Sequence, residues 1–148
     1  MDLFTIGFTK KSAEQFFELL TRAGIRRVVD VRLNNRSQLA GFAKRDDLRY
    51  FLQKHGGIDY EHAELLAPTQ PILDAFKKEK GSWESYDKAF LALMAEREIE
   101  REFEPSLFDQ GCLLCSEHKP HHCHRRLVAE YLQRMWSSVD IRVEHLVT

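Results

Sequence analysis

Residues 111–126 read GCLLCSEHKPHHCHRR, and this stretch decides how the rest of the chain is interpreted. It holds all three cysteines of the protein and four of its seven histidines. The apolar run 112–115 predicts a short buried strand, residues 116–120 predict a loop, and residues 126–135 carry apolar side chains at the spacing of one helix face. A strand end, a loop and a helix start therefore come together, and open α/β sheets bind ligands at such places.

The chain on either side alternates predicted strands and helices. Strands are predicted over residues 3–7, 25–31, 58–62 and 140–147. Helices are predicted from Ser12 to Gly24, with Ser12 and Gln15 forming a capping box, and over residues 46–56, 72–80 and 82–103. This order predicts a single α/β domain over residues 1–148, in three layers, with a mostly parallel sheet of about five strands flanked by helices.

Composition limits the class of protein. The chain has 148 residues, is 43% hydrophobic and carries a formal net charge of −1. This length and this apolar content are sufficient for one packed domain. It shows no apolar run long enough for a membrane span and no signal peptide, which predicts a cytoplasmic protein without a membrane partner. Cys112 and Cys115 would face opposite sides of one strand, so we expect reduced thiols and no disulfide framework. The near-neutral net charge is an argument against nucleic-acid binding, but it does not exclude a local basic patch that would bind nucleic acid.

Several short motifs occur in a fixed order along the chain. They are Thr5-Ile6-Gly7, Asp30-Val31-Arg32, Gly57-Ile58-Asp59-Tyr60, Cys115-x-Glu117 and Cys123-His124-Arg125. Over nearly its whole length the chain thereby resembles the domain-of-unknown-function family 488. The resemblance implies a compact α/β fold with a site built from strand ends, and it implies no particular reaction. The chain departs from the family at Phe8-Thr9, where His-Ser is frequent, and at Asn34-Asn35, where a proline is frequent.

Cysteine chemistry is the first hypothesis for the site. Cys123 lies at the predicted start of a helix beside His124 and Arg125, and these conditions lower the pKa of a thiol. Glu117 or His124 would act as general acid or base. We therefore predict Cys123, Glu117 and His124 as catalytic residues. The alternative is that Cys115 and Cys123 are buried packing residues, as free cysteines often are.

Anion binding is the second part of that hypothesis. Arg32 and Arg125 have the geometry to clamp a phosphate or carboxylate, with Asp30 orienting them or binding a ribose hydroxyl. Tyr60 would stack on a base, and Cys115 lies beside the others at the strand end. We therefore predict these five residues as substrate-binding, with a phosphorylated small molecule or a nucleic acid as the partner. The polar loop over residues 33–44 is long enough to suggest a functional role.

Two other interpretations remain open. Cys115, His118, His122 and Cys123 offer nitrogen and sulfur ligands for zinc, although the adjacent side chains diverge, and nothing in the sequence requires a cofactor. A basic mouth made of Arg32, Arg36, Lys44, Arg45, Arg125 and Arg126 would suit nucleic acid. The favoured hypothesis is a cysteine- or glutamate-dependent enzyme with an anion pocket, acting on a nucleotide or nucleic acid. The alternative is a non-catalytic nucleic-acid-binding or zinc-stabilised module. The oligomeric state does not follow from the sequence.

Overall fold

A computed structural model describes residues 1–36 and 41–148 of the chain. Its strands are β1 (Asp2–Gly7), β2 (Arg27–Asp30), β3 (Asp59–His62), β4 (Gly111–Cys115) and β5 (Arg142–Leu146). Its helices are α1 (Ala13–Arg22), α2 (Arg45–Gly56), α3 (Gln70–Lys77), α4 (Trp83–Glu96), α5 (Ile99–Glu102) and α6 (His124–Met135). The loop predicted to be functional, residues 33–44, lies partly outside the described residues, at 37–40.

The five strands form one parallel sheet in the order β3-β2-β4-β1-β5. This confirms the predicted α/β class and the parallel sheet. In the register, Gly7 pairs with Cys115 and Asp30 pairs with Leu114. The carboxyl ends of β1, β2 and β4 therefore meet at one edge of the sheet, as the sequence analysis assumed.

Helices cover both faces of the sheet, which gives the three layers that were predicted. Helices α1 and α2 pack on one face around Phe16 and Leu48, and helices α4 and α6 pack on the other around Phe90 and Leu127. Strand β4 lies between them and is buried along its whole length. Cys112 belongs to the first core and Cys115 to the second, which confirms that the two thiols face opposite sides.

Local signals account for most helix ends. The Ser12 hydroxyl oxygen accepts a hydrogen bond from the Gln15 backbone amide, and the Gln15 side-chain oxygen accepts one from the Ser12 backbone amide, so the predicted capping box is present. Gly57 ends α2 in the left-handed conformation, with φ of 59°. The single helix predicted over residues 82–103 is wrong. The chain turns at Glu98, which has φ of 49°, and this break lets Ile99 pack into the core.

Among the helices of the described residues, none is long and apolar enough to cross a bilayer.

Candidate functional site

A cavity of about 200 Å³ opens at the carboxyl edge of the sheet, beside the end of β4. The connections from β1 and β2 lead to α1 and α2 on one face, whereas the connection from β4 leads to α6 on the other. A crevice forms where such connections part, so the topology itself explains the position of the cavity. Five of the predicted site residues line it: Arg32, Cys115, Glu117, Cys123 and His124. The other three, Asp30, Tyr60 and Arg125, lie behind its wall.

Cys115 and His124 lie side by side in this cavity. The Sγ atom of Cys115 lies 3.5 Å from Nδ1 of His124 and 3.8 Å from Nε2, so the sulfur contacts the imidazole ring from the side. Nε2 of the same ring lies 2.7 Å from the carbonyl oxygen of Val31. A carbonyl oxygen only accepts, so Nε2 carries a hydrogen and Nδ1 of the neutral ring does not. Cys115 is thereby placed beside a base whose ring is held in one orientation.

Cys123 differs from Cys115 in the state of its thiol. Its sulfur lies within 4.8 Å of that of Cys115, and the interaction between the two thiols is the main reason that the pKa of Cys115 is lowered. Burial raises the pKa of Cys123 well above its usual value, and the interaction with Cys115 raises it further. The expectation that a helix start lowers the pKa of Cys123 is therefore wrong, because the loss of hydration outweighs the favourable charges of His124 and Arg125. Cys115 is the more acidic thiol.

Arg32 is held by a buried carboxylate. Its Nε and Nη2 atoms donate to the two oxygens of Asp30 at 2.9 and 2.8 Å. Tyr60 donates its hydroxyl to the same carboxylate, and Asn35 bridges the two at 3.4 and 3.2 Å. Asp30 thus orients Arg32, as predicted from the sequence. Tyr60 supports Asp30 from behind and does not reach the cavity, so the geometry gives no support to stacking on a base.

One nitrogen of the Arg32 guanidinium takes no part in these hydrogen bonds. Its Nη1 atom is buried and has no hydrogen-bond partner among residues 1–36 and 41–148. Since Arg32 lines the cavity and is only 2% exposed, this N–H group is a donor kept away from bulk water. Buried donors are nearly always satisfied in folded proteins, so the unpaired Nη1 atom of Arg32 is an unusual feature of this part of the structure.

Phe8 occupies the position where the resembled family frequently has a histidine. Its ring is buried and lies 5.5 Å from the Cζ atom of Arg32. The aromatic ring therefore packs on the guanidinium of Arg32 and supports it through a cation–π contact. Phe8 thus supports Arg32 through its ring, without the histidine that the family frequently has at this position.

Arg125 has a structural position that the sequence did not suggest. Its side chain is 0% exposed. It donates to Thr5 Oγ1 at 3.2 Å, to the carbonyl oxygen of Glu117, and to that of His118 at 3.3 Å. Because Arg125 is buried, the expectation that it faces a ligand is wrong. Arg125 instead fastens the loop between β4 and α6 to the end of β1. The predicted basic mouth loses two of its members, because Arg32 is paired with Asp30 and Arg125 is buried.

Glu117 is half exposed and pairs with a lysine. Its carboxylate accepts from Lys77 Nζ on α3 at 2.9 Å, and it does not pair with an arginine side chain. This ion pair crosses the cavity rim and joins the loop after β4 to α3. Glu117 lines the cavity, but its catalytic role remains a prediction.

An aromatic wall of the cavity was missed by the sequence analysis. Phe76 on α3 and Trp83 and Tyr86 on α4 contact one another with ring centroids 5.1–5.6 Å apart. The exposed ring of His122 stacks on Trp83 at 4.9 Å. The sequence carried no signal for this wall, because the aromatic residues fall on the apolar faces of α3 and α4 like ordinary core residues.

A metal ion has one group of candidate ligands among the described residues. The ligand atoms of Cys115, Cys123 and His124 all lie within 4.8 Å of one another. The set differs from the predicted one, since His124 takes part and His118 and His122 do not. Two sulfurs and one imidazole would suit zinc with one open position.

A family model described as "Domain of unknown function DUF488" matches residues 12–132. The match spans the described cavity residues from Arg32 to His124. No curated protein and no solved structure matches the chain.

Proposed function

The chain belongs to the DUF488 family of domains of unknown function, and we propose that it is an enzyme. In this proposal Cys115 is the nucleophile, and the substrate is a small molecule with an anionic group. The observation that carries this proposal is the geometry of one cavity. It places the Cys115 sulfur 3.5 Å from an oriented imidazole, in the same cavity that Arg32 lines. Nucleophile, base and orienting group are the arrangement that activates a cysteine.

His124 and Cys123 have distinct roles in this proposal. His124 takes the proton of Cys115 at Nδ1, while Val31 keeps the ring in place. The protonated imidazole then supplies the proton that a leaving group needs. Cys123 is a positioning residue, because its thiol interacts with the nucleophilic sulfur. This reverses the roles expected from the sequence, in which Cys123 came first.

Arg125 supplies the electrostatic support. The described residues place no carboxylate within ion-pair distance of its buried guanidinium, which donates only to carbonyl and hydroxyl oxygens. Its charge lowers the pKa of Cys115. A thiolate at Cys115 therefore balances a buried positive charge, which favours the ionised form. We place the activity in the cytoplasm, where reducing conditions keep both thiols free.

A zinc-binding module is the second candidate, because three metal-binding side chains converge on the same point. In that case Cys115 would be a ligand and would not be free to react. Nucleic acid is less well supported, since Arg32 and Arg125 are no longer part of an exposed basic surface.

The deciding experiment is the alkylation rate of each cysteine by iodoacetamide as a function of pH, read by mass spectrometry, with elemental analysis of the same sample. We expect metal-free protein and one fast thiol, Cys115, that reacts at about neutral pH. Cys115→Ser should abolish the fast phase, and Cys112→Ser, a buried cysteine on the other face of β4, is the matched control. Stoichiometric zinc, or equal and slow reaction of all three thiols, would overturn the proposal.

A further inference from the structure

Two of the three cysteines share the cavity at the carboxyl edge of the sheet. Cys115 and Cys123 both line it, and their sulfur atoms lie within 4.8 Å of each other. Both are free thiols, and a disulfide bond between them would bring the sulfurs to about 2.05 Å. Cys112 is buried in the core on the other face of β4, so it does not belong to this pair.

The fold holds the two thiols side by side. Cys115 is the last residue of β4, and Cys123 directly precedes the first residue of α6. The loop between them is fastened by Arg125, which donates to the carbonyl oxygens of Glu117 and His118. Two sulfurs held on a strand end and a helix start react with each other more readily than two free thiols, because little freedom of movement is lost.

A second thiol beside a nucleophilic cysteine has a specific chemical use. When a cysteine attacks a disulfide it forms a mixed disulfide, and a neighbouring thiol resolves this intermediate by displacing the remaining half of the substrate. Acyl transfer through a cysteine, in contrast, is completed by water or another external acceptor and requires no second thiol. The pairing of Cys115 with Cys123 in one cavity therefore favours a sulfur–sulfur bond as the bond that is broken.

We infer that the site performs thiol–disulfide exchange on a small-molecule disulfide, with Cys115 as the attacking thiol and Cys123 as the resolving thiol. This inference rests on the proposed function, because it takes Cys115 as the nucleophile, and it names the class of substrate. The cavity volume of about 200 Å³ lies below the roughly 300–1,000 Å³ of pockets for drug-sized ligands, which limits the substrate to a small disulfide. A disulfide with a carboxylate on each half also meets the anionic character of the proposed substrate.

The exchange consists of two steps in which atoms and electrons balance. The Cys115 thiolate attacks one substrate sulfur and bonds to it, and the first thiol leaves with the proton that His124 took from Cys115. The Cys123 sulfur then attacks the Cys115 sulfur, and the second thiol leaves with the proton of Cys123. The two cysteines lose two electrons and form one disulfide, and the substrate gains these electrons and becomes two thiols. A small dithiol reduces the Cys115–Cys123 disulfide and restores the pair.

The test mixes the wild type with an excess of dithiodipropionate at about neutral pH, quenches with acid and measures masses. We expect each chain to release two molecules of thiol, to lose two hydrogens and to keep no part of the probe. Cleavage after glutamate places Cys115 and Cys123 on separate peptides, because Glu117 lies between them. A disulfide-linked pair of these peptides identifies the new bond, and dithiothreitol should restore the original mass.

Variants separate the resolving role of Cys123 from its effect on Cys115. Cys123→Ser should stop at the mixed disulfide, with one thiol released and half of the probe on Cys115. This adduct should disappear at least about tenfold faster in the wild type than in Cys123→Ser. Cys112→Ser is the matched control and should behave as the wild type does, with Cys115 as the only cysteine of its peptide. Cys115→Ser should release no thiol.

A wild type that keeps half of the probe as stably as Cys123→Ser would overturn the inference, as would a disulfide that includes Cys112. If Cys115 is the one fast thiol toward iodoacetamide and no Cys115–Cys123 disulfide forms, only this inference fails. If Cys115 is slow toward iodoacetamide and does not react with dithiodipropionate, the proposed function fails together with it.

Discussion

Nε2 of His124 lies 2.7 Å from the carbonyl oxygen of Val31, at the turn that follows β2. This contact joins the first residue of α6 to the neighbouring strand, and it decides which nitrogen of the ring carries hydrogen. The other nitrogen, Nδ1, is then left without a hydrogen, 3.5 Å from the sulfur of Cys115 at the end of β4. A backbone carbonyl that belongs to neither partner therefore sets the proton arrangement of the Cys115–His124 pair.

The interaction with Cys123 should control the acidity of Cys115. In Cys123→Ala the thiol is lost, so we expect the pKa of Cys115 to rise and its alkylation rate at about neutral pH to fall roughly tenfold, since a hydrogen bond to a charged group contributes about 1.5–3 kcal/mol. Cys123→Ser keeps a donor at the same place and is the matched control. The measurement is the pH–rate profile for iodoacetamide. Identical profiles for the alanine variant and the wild type would show that Cys123 does not act on Cys115.

Gly7 should tolerate no side chain. A Cβ atom there would collide with the carbonyl group of Glu117 and lie 2.9 Å from Nη1 of Arg125. Because the obstruction is backbone, we expect Gly7→Ala to lower the free energy of unfolding by about 1–3 kcal/mol or more, measured by urea denaturation. The control is Gly41→Ala, where a Cβ meets no atom within 4 Å among the described residues. A loss at position 41 as large as that at position 7 would contradict this explanation.

Arg125 should be irreplaceable by lysine. One ammonium group cannot reach Thr5, Glu117 and His118 together, so Arg125→Lys leaves buried acceptors unpaired and should cost about 2–4 kcal/mol of stability. Its neighbour Arg126 makes a surface ion pair with Glu130 at 3.4 Å, and Arg126→Lys should cost less than about 1 kcal/mol. Thermal unfolding of the two variants checks the difference. Similar melting temperatures would mean that Arg125 does not fasten the loop.

Lys11 should make stability depend on alkaline pH. Burial, and then the charge of Arg125, lowers the pKa of Lys11 from 10.5 to about 8. Between these values the unfolded chain keeps a proton that the folded protein has lost, so the stability contributed at Lys11 rises with pH. Below about pH 8 both states are protonated, and the full cost of burying the charge remains.

The test compares the wild type with Lys11→Met by urea denaturation at about pH 7 and about pH 10. We expect the wild type to gain stability relative to the variant at the higher pH. Lys10→Met, at an exposed neighbouring position, is the control and should show no such change. A difference between wild type and Lys11→Met that is constant with pH would contradict the prediction.

Residues close in sequence were predicted well because their signals are local. The capping box at Ser12, the end of α2 at Gly56 and the buried run of β4 each depend on a few neighbouring residues. The helix predicted over residues 82–103 failed for the opposite reason. Its break at Glu98, which has φ of 49°, comes directly before Ile99 in the core, and no local pattern reveals it.

Five of the eight predicted site residues line the cavity, and their functional roles stay a prediction. Asp30, Arg32, Cys115 and His124 were found because strand ends in a parallel sheet meet at one edge. The relative acidity of Cys115 and Cys123 was not predicted, because it depends on burial and on the interaction between the two thiols. The position of Arg125 was also missed, since an arginine beside a reactive cysteine looks the same in sequence whether it faces a ligand or the core.

The sequence by itself determined the order of strands and helices, the parallel sheet and the edge at which the reactive side chains gather, because hydrophobic periodicity and turn residues act over short distances. Only the tertiary structure decided which cysteine is the more acidic. It also decided that Arg125 holds the loop between β4 and α6 to the end of β1, and that Phe76 and Trp83 line the cavity. Those properties depend on desolvation and on contacts between different elements of the fold, such as that of Val31 with His124. Burial and partner identity set a side chain's chemistry, and both are fixed only when the layers pack.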